Sequence, residues 1–92
     1  MSKNFLPLGS VVLLKGGTKK IMINGYCMVA QERPDKIFDY RGCPFPEGIM
    51  DDKGVALFDE SQIKEVCFEG FKNEDSIDFL DRIGMIAEKY EE

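Results

Sequence analysis

The chain contains no histidine, and that absence removes more chemistry than any residue present adds. Histidine is the side chain that ordinarily exchanges a proton near neutral pH, so the usual Ser–His and Cys–His nucleophile arrangements cannot be assembled here. Cysteine is sparse: Cys27, Cys43 and Cys67 stand 16 and 24 residues apart and form no Cys-x-x-Cys pair. Such spacing, with no histidine to complete a ligand set, indicates neither a zinc site nor a disulfide framework. No apolar run approaches the ~18 residues of a membrane-spanning helix. The opening Met-Ser-Lys-Asn-Phe-Leu-Pro lacks the apolar stretch of a signal peptide. Repeats, low-complexity tracts and internal linkers are missing as well. We therefore expect a cytoplasmic, reduced protein that is not an enzyme, with no metal, no cofactor, no nucleic-acid partner and no membrane association.

What is present suffices for one domain spanning residues 1–92. A chain of this length buries somewhat over ~60% of its unfolded surface, enough for a modest core and no deep cleft. Hydrophobic residues make up 43% of the chain, seven of them Phe, and charged residues 32%, so disorder is not expected over most of its length. The net charge of −5 conceals a polarity. Residues 1–46 carry seven Lys/Arg against three Asp/Glu, a balance of +4, whereas residues 47–92 carry five against fourteen, a balance of −9. An acidic chain repels nucleic acid and anionic lipid, so a basic protein surface is the charged partner it suits, although charge runs also serve simply to solvate a face.

Residues 6–71 read as β-rich. Val11 to Leu14 is a short β-branched and apolar run, Gly16-Gly17 supplies the positive φ of a tight hairpin turn, and Ile21 to Ile23 resumes the apolar strand. The first strand is expected over about Ser10 to Lys15 and the second from near Lys19. Gly25 marks a bulge or bend before Tyr26 to Ala30. Glu32 to Lys36, containing Arg33-Pro34-Asp35, reads as a turn, and Ile37 to Tyr40 as a third strand with Phe38 and Tyr40 on one face. Two Pro and two Gly within Arg41 to Gly48 predict a rigid loop. Asp51-Asp52-Lys53-Gly54 turns the chain into a strand over Val55 to Phe58, and Asp59-Glu60-Ser61 caps a single helical turn. Ile63 to Phe71 follows as a strand with Val66 and Phe68 toward the core and Glu65, Cys67 and Glu69 outward.

From Glu74 to Tyr90 the period changes. Ile77, Leu80, Ile83 and Ala87, flanked by Phe79, Ile86 and Tyr90, recur at steps of three and four and form one broad face of an amphipathic helix about 25 Å long. Asn73 or Asp75 can cap it, and Glu74, Asp75 and Asp78 sit near the positive end of its dipole.

The motifs that mimic chemistry are weak. Asp51-Asp52 and Asp59-Glu60 are carboxylate pairs, but adjacent residues point different ways and no calcium-loop spacing is present, so they read as turn and capping residues. Lys15-Gly-Gly-Thr-Lys-Lys20 lacks the spacing and the following helix of a phosphate-binding loop, which favours the hairpin turn. Cys67 lies between Glu65 and Glu69, where negative charge disfavours a thiolate. The best binding candidate is the Tyr40 to Gly48 loop. Tyr40, Pro44, Phe45 and Pro46 put apolar bulk on a stiff segment, while Asp78, Asp81 and Glu88 of the helix offer electrostatic steering toward a basic surface. Phe45 can equally plug the open end of a curled sheet, and the sequence leaves both roles open.

Three stretches also carry a family resemblance: Leu6-Pro-Leu-Gly-Ser-Val-Val-Leu-Leu-Lys-Gly-Gly-Thr-Lys-Lys-Ile-Met-Ile23, Tyr40 through Cys43-Pro-Phe-Pro-Glu-Gly48, and Ile63 through Val66-Cys-Phe-Glu-Gly-Phe71. Together they resemble the domain of unknown function 4176 family of Gram-positive bacteria across nearly the whole chain. The first is specific in length and order; the others mainly confirm register. That resemblance implies a cytoplasmic adaptor or chaperone-like targeting factor, encoded beside toxins with LXG-type N-terminal domains. Its implied partner is the helical leader domain of such a toxin, together with a second small helical targeting protein, for type VII secretion. It carries over no catalytic residue and no binding motif.

The expected fold is α+β: a small, strongly bent antiparallel sheet of about five strands, partly open and barrel-like, with one C-terminal amphipathic helix over 74–90. The alternative function is a sensor domain that binds a small anionic ligand through Lys15, Lys19 and Lys20.

Overall fold

A computed structural model describes residues 5–30, 33–51 and 54–90. Its strands are β1 (Val11–Leu14), β2 (Lys20–Ala30), β3 (Arg33–Pro44), β4 (Ala56–Phe58) and β5 (Ile63–Phe68), followed by the helix α1 (Glu74–Tyr90). They form one five-stranded antiparallel sheet in the order β4-β3-β2-β1-β5. The sheet is open: β4, three residues long, and β5 lie at opposite edges. The protein is therefore an α+β domain with a bent sheet that does not close into a barrel.

The β1–β2 hairpin turns at Gly16, whose φ of +79° lies in the region that a Cβ disfavours. The Gly17 amide donates to the Leu14 carbonyl at 3.1 Å, and Val12 pairs with Ile21 across the turn. Gly25 does mark a bulge. Pairing jumps from Ile23–Gly42 to Gly25–Arg41, leaving Asn24 as the extra residue, and its side-chain carbonyl accepts from the Arg41 guanidinium at 2.8 Å.

Two loop expectations are corrected. Arg33 to Lys36 is not a turn but the start of β3. Pro34-Asp35-Lys36 forms a second bulge, because Ala30 pairs with Arg33 and Val29 with Ile37. A proline can stand there since the bulged residues make no ladder pair. The remaining turn residues expected near Glu32, like Asp52 and Lys53 of the later turn, fall outside the described residues. The loop expected from Arg41 begins only at Phe45, because Arg41 to Pro44 continue β3. Gly42 pairs with both Ile23 and Ala56, and a Cβ on it would lie 2.5 Å from Ile21 Cγ2. That glycine serves close packing within the sheet rather than breaking it.

The core holds Phe5, Val12, Ile23, Tyr40 and Phe58 of the N-terminal segment and sheet against Leu80 and Ile83 of α1. Phe5 meets Tyr26 and Tyr40 edge-on at 5.7 and 5.4 Å, and Tyr40 stacks on Phe58 at 5.4 Å. Such aromatic pairs prefer these offsets and add to area burial. The two tyrosine hydroxyls hold the N-terminal segment: the Leu6 amide donates to Tyr40 at 2.9 Å, and Tyr26 donates to the Leu6 carbonyl.

The helix occupies the span the periodicity gives, and Asn73 is its cap. Its Oδ1 accepts from the Ser76 amide at 3.0 Å while the Ser76 hydroxyl accepts from the Asn73 amide at 2.7 Å. The single turn after β4 is a 3-10 turn, Glu60–Gln62, entered at Asp59. The last correction concerns β5. It ends at Phe68, and Val66 and Phe68 are 45% and 61% exposed rather than turned into the core. An edge strand has a neighbour on one side only, and α1 packs over β2 and β3; Ile63 reaches the core, while Lys64 to Phe68 stay exposed.

Candidate functional site

The loop after β3 is a closed, self-bonded turn. Its entry is fixed by the Phe45 amide donating to the Lys20 carbonyl at 2.9 Å, and its exit by the Gly48 amide donating to the Pro44 carbonyl at 2.8 Å. The Phe45–Pro46 peptide is cis. Lys19 Nζ grips both carboxylate oxygens of Glu47 at 2.6 and 2.7 Å, tying the hairpin turn to this loop. The hydrogen bond from Lys19 holds the Glu47 carboxyl below its ordinary range.

On this frame the candidate residues separate. Tyr40 is fully buried among Phe5, Tyr26 and Phe58, so it is a core residue and leaves the candidate surface. Burial drives its phenol well above the ordinary range, and pushes that of Tyr26 up to about 12. Pro44 closes β3, opposite Ile21, and is half-buried. Phe45 is 43% exposed and lies outside the core cluster, so it does not plug the sheet. Pro46 is exposed beside it.

Ile49 and Met50 continue this apolar surface, Met50 at 82% exposure. The loop expected from the sequence ends at Gly48 and leaves these two residues out. Their signal was an apolar pair between Gly48 and Asp51 with no strand or helix period to absorb it.

Asp78 and Asp81 are exposed on α1; the side chain of Glu88 falls outside the described residues. Between and beyond these acids stand Phe79, Met85 and Ile86, all about half-exposed. The periodicity placed Phe79 and Ile86 along the packed face. Only Leu80, Ile83 and Gly84 are buried among the described side chains of the helix, because it touches a bent sheet along a narrow line. Phe79 instead lies against Tyr26 of β2, 6.2 Å between ring centroids. The loop leaves the sheet beside Ile21, five residues earlier on β2.

Lys15 and Lys20 are exposed like Lys19. Cys43 is buried, Cys27 half-buried and Cys67 exposed, and none of the three is in a disulfide. The Cys67 Sγ lies 3.9 Å from a Glu65 carboxylate oxygen. Among the described residues no group of three or more Cys, Asp or Glu converges as a metal site, and no helix is long and apolar enough to cross a membrane.

The hairpin, the bulged β2–β3 ribbon and the capped start of α1 all fall within residues 5–79, and the family model for Domain of unknown function (DUF4176) matches that stretch. The chain belongs to this family. No curated protein and no solved structure matches it. In this DUF4176 protein the match takes in the whole sheet and the first turns of α1, including Asp78 and Phe79, while Asp81, Met85 and Ile86 lie beyond it.

Proposed function

We propose that this protein is a non-catalytic cytoplasmic adaptor that binds the helical leader domain of a secreted LXG-type toxin for type VII secretion. A second small helical targeting protein would join the complex. One observation carries the reading: α1 displays Phe79, Met85 and Ile86 about half-exposed, interleaved with the exposed carboxylates of Asp78 and Asp81. A surface of that composition complements a partner helix with an apolar stripe and basic flanks, the way amphipathic helices are captured in grooves. The loop from Phe45 to Met50 supplies a second apolar contact on a backbone that its own hydrogen bonds hold in place, which lowers the ordering cost of binding. The toxin as partner follows from the family resemblance of the three sequence stretches. Anion sensing through Lys15, Lys19 and Lys20 is the weaker reading, because an anion would have to displace Glu47 from Lys19.

Surface plasmon resonance against the leader domain of the adjacently encoded toxin tests the proposal. Phe45→Ala and Phe79→Ala should each speed dissociation with the fold intact, since apolar anchors act mainly on the off-rate. Reversing Asp78 and Asp81 to Lys should slow association at low ionic strength and much less at high. Absence of binding by the parent protein would overturn the adaptor reading. Unchanged binding by both Ala variants would remove these surfaces from it.

A further inference from the structure

The sheet has two faces, and α1 packs on one of them. Val12 and Ile23 join Leu80 and Ile83 in the core, so Val11 and Leu13 of β1 and Met22 of β2, which alternate with them, point to the opposite face. Residues directly opposite in a ladder share a face. Two rows therefore run across β2, β1 and β5 on this outer face: Lys20–Leu13–Glu65 and Met22–Val11–Phe68. Phe68 parts from Val66 because pairing shifts from Val11–Phe68 to Val12–Val66, which leaves Cys67 as the extra residue and Val66 on the core side. Val11 is buried and Leu13 and Met22 half-buried, while Lys20 and Glu65 are exposed and Phe68 is 61% exposed.

We propose that this outer face is a self-association surface, on which a second copy of this chain stacks its own outer face across a two-fold axis running along β1 between the two sheets. The charges of the first row are opposite on the two sides of β1, a cation on β2 and an anion on β5. Rotation about an axis along β1 lays β2 of one copy over β5 of the other and leaves each row at its own height. Lys20 then meets Glu65 of the other copy twice and Met22 meets Phe68 twice, while Leu13 and Val11 meet their counterparts at the centre. Other two-folds lose this match. An axis along β2 sets Lys20 against itself, one along β5 sets Glu65 against itself, and one across the strands at Leu13 does both; such like-charge contacts are costly. An axis across the strands between the rows lays Lys20 on Met22 and Glu65 on Phe68, which covers each charge without a partner.

The stacking is that of an aligned β-sandwich, with sheets about 10 Å apart and strands within about 30° of each other. Glu65 is open to a cation, because its 3.9 Å contact with the Cys67 thiol is with a weak donor. Lys15, just past β1, approaches its counterpart across the axis and opposes association. An isologous contact closes at two copies instead of growing into a fibre. Three strands by two rows lie at the low end of interface sizes, so the dimer is weak and reversible.

Sedimentation equilibrium of the full chain under reducing conditions tests this, from about 10 µM to about 1 mM. At an ionic strength of ~0.15 M the Debye length of ~8 Å screens the two net charges while leaving contact pairs in force. The weight-average mass should rise with concentration from 10.5 kDa toward twice that value. Lys20→Glu and Glu65→Lys should each weaken association about fivefold or more, since each replaces two attractive pairs by two repulsive ones. The double variant should recover the parental constant, and a mixture of the two single variants should associate better than either alone. Phe68→Ala should weaken the dimer as well, whereas Val66→Ala, on the core side, should not. Parental melting temperatures in the variants separate association from folding. A constant 10.5 kDa mass at ~1 mM, a dimer indifferent to both charge reversals, or one as sensitive to Val66→Ala as to Phe68→Ala overturns the proposal. None of these side chains belongs to the contacts of the adaptor reading, so either can fail without the other.

Discussion

At Gly16 the backbone sits at φ +79° with open space where a Cβ would go, whereas Gly17 shows no positive φ and a Cβ there would meet only the Leu14 carbonyl at 3.5 Å. The two neighbours in the turn are therefore unequal. Gly16→Val should cost about 1–2 kcal/mol through left-handed strain, and Gly17→Val less. Chemical denaturation of the pair checks this; equal losses would place the strain elsewhere. Ser10 is the counterpart on the polar side. Fully buried, its hydroxyl donates to the Pro7 carbonyl at 2.7 Å and accepts from the Gly70 amide at 3.0 Å, joining the N-terminal segment to the exit of β5. Ser10→Ala leaves the Gly70 amide without that acceptor and should cost about 1–3 kcal/mol, visible as a lower denaturation midpoint at an unchanged slope.

Among the elements, β3 and α1 show what local sequence can and cannot specify. Pro34 and Pro44 both lie inside β3, one in a bulge and one at the terminal pair with Ile21, positions where a missing N–H breaks no ladder. Counting prolines and glycines therefore underestimates strand length. Among the described side chains of α1, Leu80 and Ile83 alone of the apolar residues join the core, although the stripe of candidates is broader. Leu80→Ala should destabilise the domain by ~2–5 kcal/mol, a large share of the stability of so small a protein. Phe79→Ala should cost clearly less, because about half of that side chain is already in water. Thermal denaturation of the two variants side by side checks the order; equal losses would mean that the helix packs along a wider face.

At the scale of the whole molecule, the open sheet decides where apolar surface remains. The open order β4-β3-β2-β1-β5 leaves Phe45, Met50, Val66 and Phe68 exposed in two separate places, and the bent sheet leaves Phe79 and Ile86 exposed in a third. The positive N-terminal and negative C-terminal halves of the chain meet in the fold at defined pairs, Lys19 with Glu47 and Lys36 with Asp59 at 2.8 Å. Much of the charge polarity along the sequence nevertheless stays on the surface, with the acids of α1 at one side.

The sequence by itself determined the elements whose cause is local. The Gly16-Gly17 turn, the bulge at Gly25, the capped 3-10 turn at Asp59 and the helix from Glu74 each follow from backbone preference, capping or period within a few residues, and the family followed from residue order in the same stretches. Only the tertiary structure decided which apolar residues are buried. Tyr40 went to the core because Phe5, 35 residues earlier, and Phe58, 18 residues later, enclose it, and Phe68 stayed outside because β5 is an edge of the sheet as described, with β1 as its neighbour. Burial is a property of distant neighbours, and a period of two or three-and-a-half residues identifies a face without saying what will cover it.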